Sequence, residues 1–254
     1  MKKVLALILA VLTVISLFTA CNGNTDTSTE PDITTLEPEE SEKEQKLFVP
    51  EGFEVEKREI MFKYTPVLLV KVKNATDKNS TVRVTVIQKN GDGVAYKTDI
   101  QLLTGLVPGY ENYFYFESPF PYDNYVCEVY AEEYKGECLT SKINMEFIKL
   151  HDTKHWFGND KKGNAIWGKN LNSVWALQSS ASEDLYLSAT LLLFDNEGEL
   201  YRVDNYNGKV RAKSDGNLDR FVYTDPSREL VWPDRLKGEG VTGIVCIKEV
   251  TRSQ

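Results

Sequence analysis

The chain has only two histidines, His151 and His155, and they stand four residues apart in the stretch HDTKH. That spacing binds zinc when a helix puts both imidazoles on one face and the carboxylate between them acts as base. Here no helical period surrounds the stretch and Gly158 follows closely. Asp152 is also a methylene shorter than the glutamate this chemistry uses. The stretch reads as a loop between modules, and no metal is expected. DGNLD, Asp215 to Asp219, offers oxygens at alternate positions, as calcium loops do. Its glycine is out of place and no glutamate follows at the required distance, so a β-turn explains it. No Ser/His/Asp or Cys/His set and no phosphate-binding glycine loop can be assembled. No catalytic residue and no cofactor are expected.

Aromatic residues offer binding chemistry. In NYFYFES, Asn112 to Ser118, Phe114 and Phe116 share one face of a strand and Tyr113 and Tyr115 share the other. If the phenylalanines are core, Tyr113 and Tyr115 form a candidate contact platform. Such rings offer a flat apolar body and a polar tip, and the partner could be a wall glycan, an envelope protein or peptide, or the second half of this chain. Cross-strand aromatic pairing explains the same residues.

Cysteine chemistry turns on compartment. Met1-Lys2-Lys3 precedes an apolar run, Val4 to Phe18, broken only by Thr13 and Ser16. That run is shorter than the roughly 20 residues a spanning helix takes. It has the layout of a secretory signal. LFTAC, Leu17 to Cys21, resembles a bacterial lipobox, departing from it at Phe18 where leucine is usual. The resemblance implies cleavage before Cys21 and a diacylglycerol thioether on it, which places the protein on the extracytoplasmic face of a cell membrane. Two acyl chains hold a protein stably where one does not. Cys127, Cys138 and Cys246 remain. Ten residues separate Cys127 and Cys138 around a hairpin signal at Lys135-Gly136, so a disulfide and free buried thiols are both open.

Residues 22–46 are rich in Thr, Ser, Pro and acids and hold no aromatic residue, which is a disordered composition. As a flexible tether they would span about 25–30 Å r.m.s.. From Leu47 on, short Val/Ile/Tyr/Phe runs alternate with Gly/Asn/Asp/Pro clusters, which predicts strands and hairpins throughout. One short helix is expected at Asp225 to Trp232. The net charge of −8 and the lack of a basic block argue against nucleic acid and anionic lipid heads as partners.

An internal repeat organises the rest. Lys73 to Tyr96 aligns without a gap on Gln178 to Tyr201, so that Val82, Val84 and Val86 fall on Leu187, Ala189 and Leu191. Gly109 to Phe116 then aligns on Gly216 to Tyr223, and Tyr125 to Val129 on Ile244 to Lys248. The offset grows from 105 to 107 to 119, as loop insertions would make it. Three matches in order indicate a duplication. Each copy, with six or seven short strands, suits an immunoglobulin-like β-sandwich. The organisation expected is all-β: a signal peptide at 1–20, Cys21 with its linker at 21–46, and tandem modules at 47–150 and 151–254.

ATLLLFDNEGELY, Ala189 to Tyr201, resembles the motif of FxLYD-type extracellular domains, with Leu191, Leu193, Phe194 and Asp195 at its F, L, Y and D. Gly198 and the later Val107-Pro108-Gly109 also fit; copy one matches poorly at Val86, Gln88, Lys89 and Asn90. The resemblance implies tandem Ig-like sandwiches in a surface lipoprotein and no enzymatic role. The function expected is a non-catalytic binding or scaffolding module at the bacterial envelope. The alternatives are an envelope hydrolase or metal-dependent enzyme built on sandwich loops, or a small-solute-binding lipoprotein.

Overall fold

A computed structural model describes residues 45–225 and 233–253. The leader, Cys21, residues 22–44 and all but the first residue of the expected helix lie outside the described residues. Residues 42–254 form one compact unit, and its buried clusters are drawn from within it.

The architecture is all-β and sandwich-like. The first half contributes β1 (Gln45–Phe48), β2 (Phe53–Phe62), β3 (Thr65–Asn74), β4 (Ser80–Lys89), β5 (Ala95–Leu106), β6 (Glu111–Glu117) and β7 (Tyr125–Glu133). The second contributes β8 (Ile143–Asn159), β9 (Ala165–Ser179), β10 (Leu185–Phe194), β11 (Leu200–Val210), β12 (Asp215–Asp225) and β13 (Thr242–Arg252). Their sheets run β1-β7-β4-β5 and β2-β3-β6, then β11-β10-β13 and β12-β9-β8. The orders β2-β3-β6 and β8-β9-β12 correspond, as do β5-β4-β7 and β11-β10-β13. The strands paired by the sequence repeat are therefore the strands paired by topology. Copy one adds β1, which lies parallel to β7.

Side-chain alternation builds the layers. Val82, Val84 and Val86 point into the core of copy one, with Phe114 and Phe116 opposite. Leu187, Ala189 and Leu191 do the same in copy two, against Trp175 and Met145. A third apolar layer joins the copies. Ile60, Val67, Leu69 and Tyr115 meet Leu192, Phe194, Leu200 and Cys246 there. The strands β3 and β10 are thus covered on both faces: Leu68 and Val70 face one way, Val67 and Leu69 the other, all at most 3% exposed. That double burial is why both read as continuous apolar runs rather than alternating ones.

Three hairpins use one turn. Asn90, Asp160 and Asp195 each accept two backbone N–H bonds on the side-chain Oδ1, from residues two and four places on, at 2.8–3.1 Å. Gly93, Gly163 and Gly198 follow at φ +78°, +85° and +80°, where a Cβ would be strained. The side-chain oxygen takes donors the tight turn leaves unpaired.

One expectation is corrected. Lys149 to Asn164 is strand β8 and its turn, not a linker. Trp156 and Phe157 on one side of Asp160-Lys161-Lys162-Gly163 and Ile166 and Trp167 on the other form a hairpin there, and the chain crosses between copies earlier, through the 3₁₀ turn Leu139–Lys142. The first described strand, β1, begins at Gln45.

At the junction, Asn112 is 3% exposed. Its Nδ2 donates to the Ile247 carbonyl (3.1 Å), and its Oδ1 accepts the Ile247 N–H (3.0 Å). A single carboxamide thereby satisfies both backbone groups of a residue on a sheet edge. Asn112→Ala should destabilise the protein by about 2 kcal/mol, because two buried groups lose their partner. Urea melts followed by fluorescence and circular dichroism should shift together, since both copies share the junction. An unchanged midpoint would contradict this role.

Candidate functional site

Tyr113 and Tyr115 do share a face, but that face meets the second copy. Tyr115 is 8% exposed and donates from its hydroxyl to Glu117 Oε1 at 2.6 Å. Burial, then that bond, pushes its pKa up. Tyr113 is half-buried at the same junction, and its pKa is raised, chiefly by burial. Of the partners open to the platform, the second half of the chain occupies it. A groove of about 380 Å³ passes Tyr115 between Lys97, Gln101, Glu117, Asn205 and Lys248.

His151 and His155 lie on β8, opposite Asn172 and Gly168. Four residues along a strand separate them by about 13 Å, too far to share a metal. His151 Nε2 stands 3.5 Å from Asp219 Oδ2, and the His155 ring meets Phe157 edge-on. Asp215 to Asp219 is not a turn but the start of β12, paired with β9. Among the described residues no group of three His, Cys, Asp or Glu is placed to hold a metal ion.

Cys127, Cys138 and Cys246 are free and buried. The Cys127–Cys138 segment is not a hairpin: β7 ends at Glu133 and the chain turns into the crossing. Cys127 packs in the core of copy one, Cys138 lies against Gly105, and Cys246 sits in the junction.

Asp195, at the D of the FxLYD-like stretch, has a clear structural task. It is wholly buried, holds the β10–β11 turn, and pairs with Arg235. Leu191 and Leu193 face the interior of copy two, while Phe194 faces the junction.

The element that stands apart is the β8–β9 hairpin. Among the described residues, the pairing of its third strand, β12, runs as far as Asp225 opposite Lys169. Beyond that point, among the described residues, His155 to Gly168 continue as a two-stranded arm. Trp156 and Trp167 face each other across it, 53% and 45% exposed, with Ile166 at 41%. Lys154 Nζ lies 4.4 Å from the Trp167 ring. Lys169 pairs with Asp152 at 2.7 Å. Lys161 and Lys162 are exposed at the tip.

Comparison of the copies shows what this arm is. Phe53 pairs with Asn74, and Ile143 pairs with Ser179; Asn74 and Ser179 are equivalent at the repeat offset of 105. The hairpin they close has 22 residues in copy one and 37 in copy two. The arm, His155 to Gly168, accounts for 14 of the 15 added residues. Copy one makes the same sandwich without it. Sequence reasoning missed this arm because it took the Gly and Lys cluster for a linker. The signal was present, since Asp160-x-x-Gly163 repeats the turn pattern of Asn90-x-x-Gly93, with a tryptophan on each side.

No family model and no curated protein matches the chain.

The thiols give a direct check on the packing. Burial pushes Cys127 up to about 11 and raises Cys246 and Cys138 as well. In residues 42–254, none of the three should react with a thiol reagent within minutes at pH 8, and all three should react in guanidinium. A raised folded pKa favours the neutral thiol. The stability it contributes is full below the unfolded value of about 8.5 and is lost as pH rises toward 11. Prompt native reaction of any thiol would contradict the burial.

Proposed function

We propose that the protein is a lipid-anchored, non-catalytic binding or scaffolding module on the extracytoplasmic face of a bacterial membrane. The observation that carries the binding role is the arm. It is the part of copy two that the shared fold does not require, and it exposes large apolar side chains to water. Each such ring is costly to leave solvated, at roughly 25 cal/mol per Å², unless a partner covers it. The basic start, the apolar run and the LFTAC stretch support the anchor on Cys21. The FxLYD-like stretch at Leu191 to Asp195 supports a surface-lipoprotein setting.

In its own bacterium, Cys21→Ala should release the protein from the membrane fraction or leave it unprocessed, with the corresponding mass change. Unchanged retention and mass would overturn the anchor. For the binding role, residues 42–254 should be retained on whole envelope, and Trp156→Ala/Trp167→Ala should lose that retention. Retention that ignores the arm, or none at all, would overturn the role assigned to it.

A further inference from the structure

We propose that the β8–β9 arm contacts a lipid bilayer, with Trp156 and Trp167 resting in the interface and Lys154, Lys161 and Lys162 against anionic headgroups. The inference rests on the envelope reading above and names the partner of that site.

Area argues for this occupant. A fully buried tryptophan covers up to about 250 Å², so the exposed halves of Trp156 and Trp167, which share one face of the ribbon, offer on the order of 250 Å². A stable protein complex takes about 800 Å² from each partner, and a two-stranded ribbon has little more to give. Interfacial partition has no such threshold. It scales with the apolar area buried and with attraction to anionic lipid. A weak contact suffices where an acyl anchor already holds the chain near the surface.

Charge argues the same way. The arm, with Lys154 at its foot, carries three lysines and one aspartate, in a chain of net charge −8. The aspartate, Asp160, is occupied by the turn. All three lysines are exposed. The acidic remainder is repelled by an anionic surface, so the arm is the part of the body that such a surface draws in. Net charge argues against anionic lipid for the chain as an average; the fold gathers cationic and aromatic groups at one projecting place. Tryptophan and lysine together suit an interface, where an amphipathic ring sits at headgroup depth and a long stem lets the ammonium reach the phosphates.

Residues 42–254 would be floated with vesicles of phosphatidylcholine alone and of phosphatidylcholine with 30% phosphatidylglycerol, an amount set on the order of a moderately anionic leaflet. We expect binding to the anionic vesicles that falls about tenfold in Trp156→Ala/Trp167→Ala and again with added salt. Lys154→Gln/Lys161→Gln/Lys162→Gln should bind the two vesicle types alike. Circular dichroism and the urea midpoint should stay unchanged in both variants, because the arm lies outside the buried clusters. Absence of wild-type flotation on either vesicle, or flotation equal in wild type and the tryptophan variant, would overturn the proposal. Arm-dependent retention on wall glycan or envelope protein, without vesicle binding, would overturn the lipid partner and leave the envelope reading standing.

Discussion

The whole structure hangs on one dry layer between two sheets. β2-β3-β6 and β11-β10-β13 each have a face that belongs to their own sandwich and a face given to the other copy. Val67, Leu69, Leu192 and Phe194 are each at most 3% exposed, and burying such a side chain contributes about 1.5–3 kcal/mol. An interface of this kind resembles a core more than a hinge. It converts a duplicated sandwich into one stack of four sheets. Arg58 reinforces it from the rim by donating to the Gly198 carbonyl at 2.6 Å and lying over the Phe194 ring.

A fixed stack brings sheet edges against one another, and edges carry unpaired backbone groups. Side chains close several of them. Gln101 and Lys97, on the edge strand β5, donate to the Tyr115 and Glu117 carbonyls on the edge strand β6. Asn112 serves Ile247 in the same way. Asn74 donates to the carbonyls of Lys78 and Leu106. In copy one, β1 supplies a further strand along β7; among the described residues no strand occupies the corresponding edge of β13. The edge of copy two at Ile247 is therefore held by copy one's asparagine instead of by a strand.

Much of this was legible in the sequence because it depends on period and turn chemistry. The short Val/Ile/Tyr/Phe runs announced strands, the Gly/Asn/Asp/Pro clusters between them announced turns, and the repeat announced the second copy. What stayed hidden depends on contacts between segments far apart. Nothing in Tyr113 or Tyr115 says whether the second face of a strand meets water or another sheet. The apolar runs Val67 to Val70 and Leu191 to Phe194 held that information, since a strand with one wet face alternates and these do not. Cys127 and Cys138 were ambiguous because their spacing fits a hairpin that the chain does not make. The arm was hidden for another reason: lysine and glycine are as common in linkers as in an exposed ribbon, and only the pairing of Trp156 with Trp167 separates the two.

Duplication explains how such an arm can exist at all. A two-stranded ribbon is marginal alone in water, so it needs a base that is already stable. In copy two the base is β9, buried between β8 and β12, with Leu171 wholly covered just below Lys169, the last residue paired with the described part of β12. In copy one the corresponding hairpin cannot be lengthened so freely, because its end carries Ile60 and Phe62 into the junction. The same two strands therefore serve opposite ends: in the first copy they glue the stack together, and in the second they are released from that task and project from it. The asymmetry of the junction decides which copy has a hairpin free to meet something outside the protein.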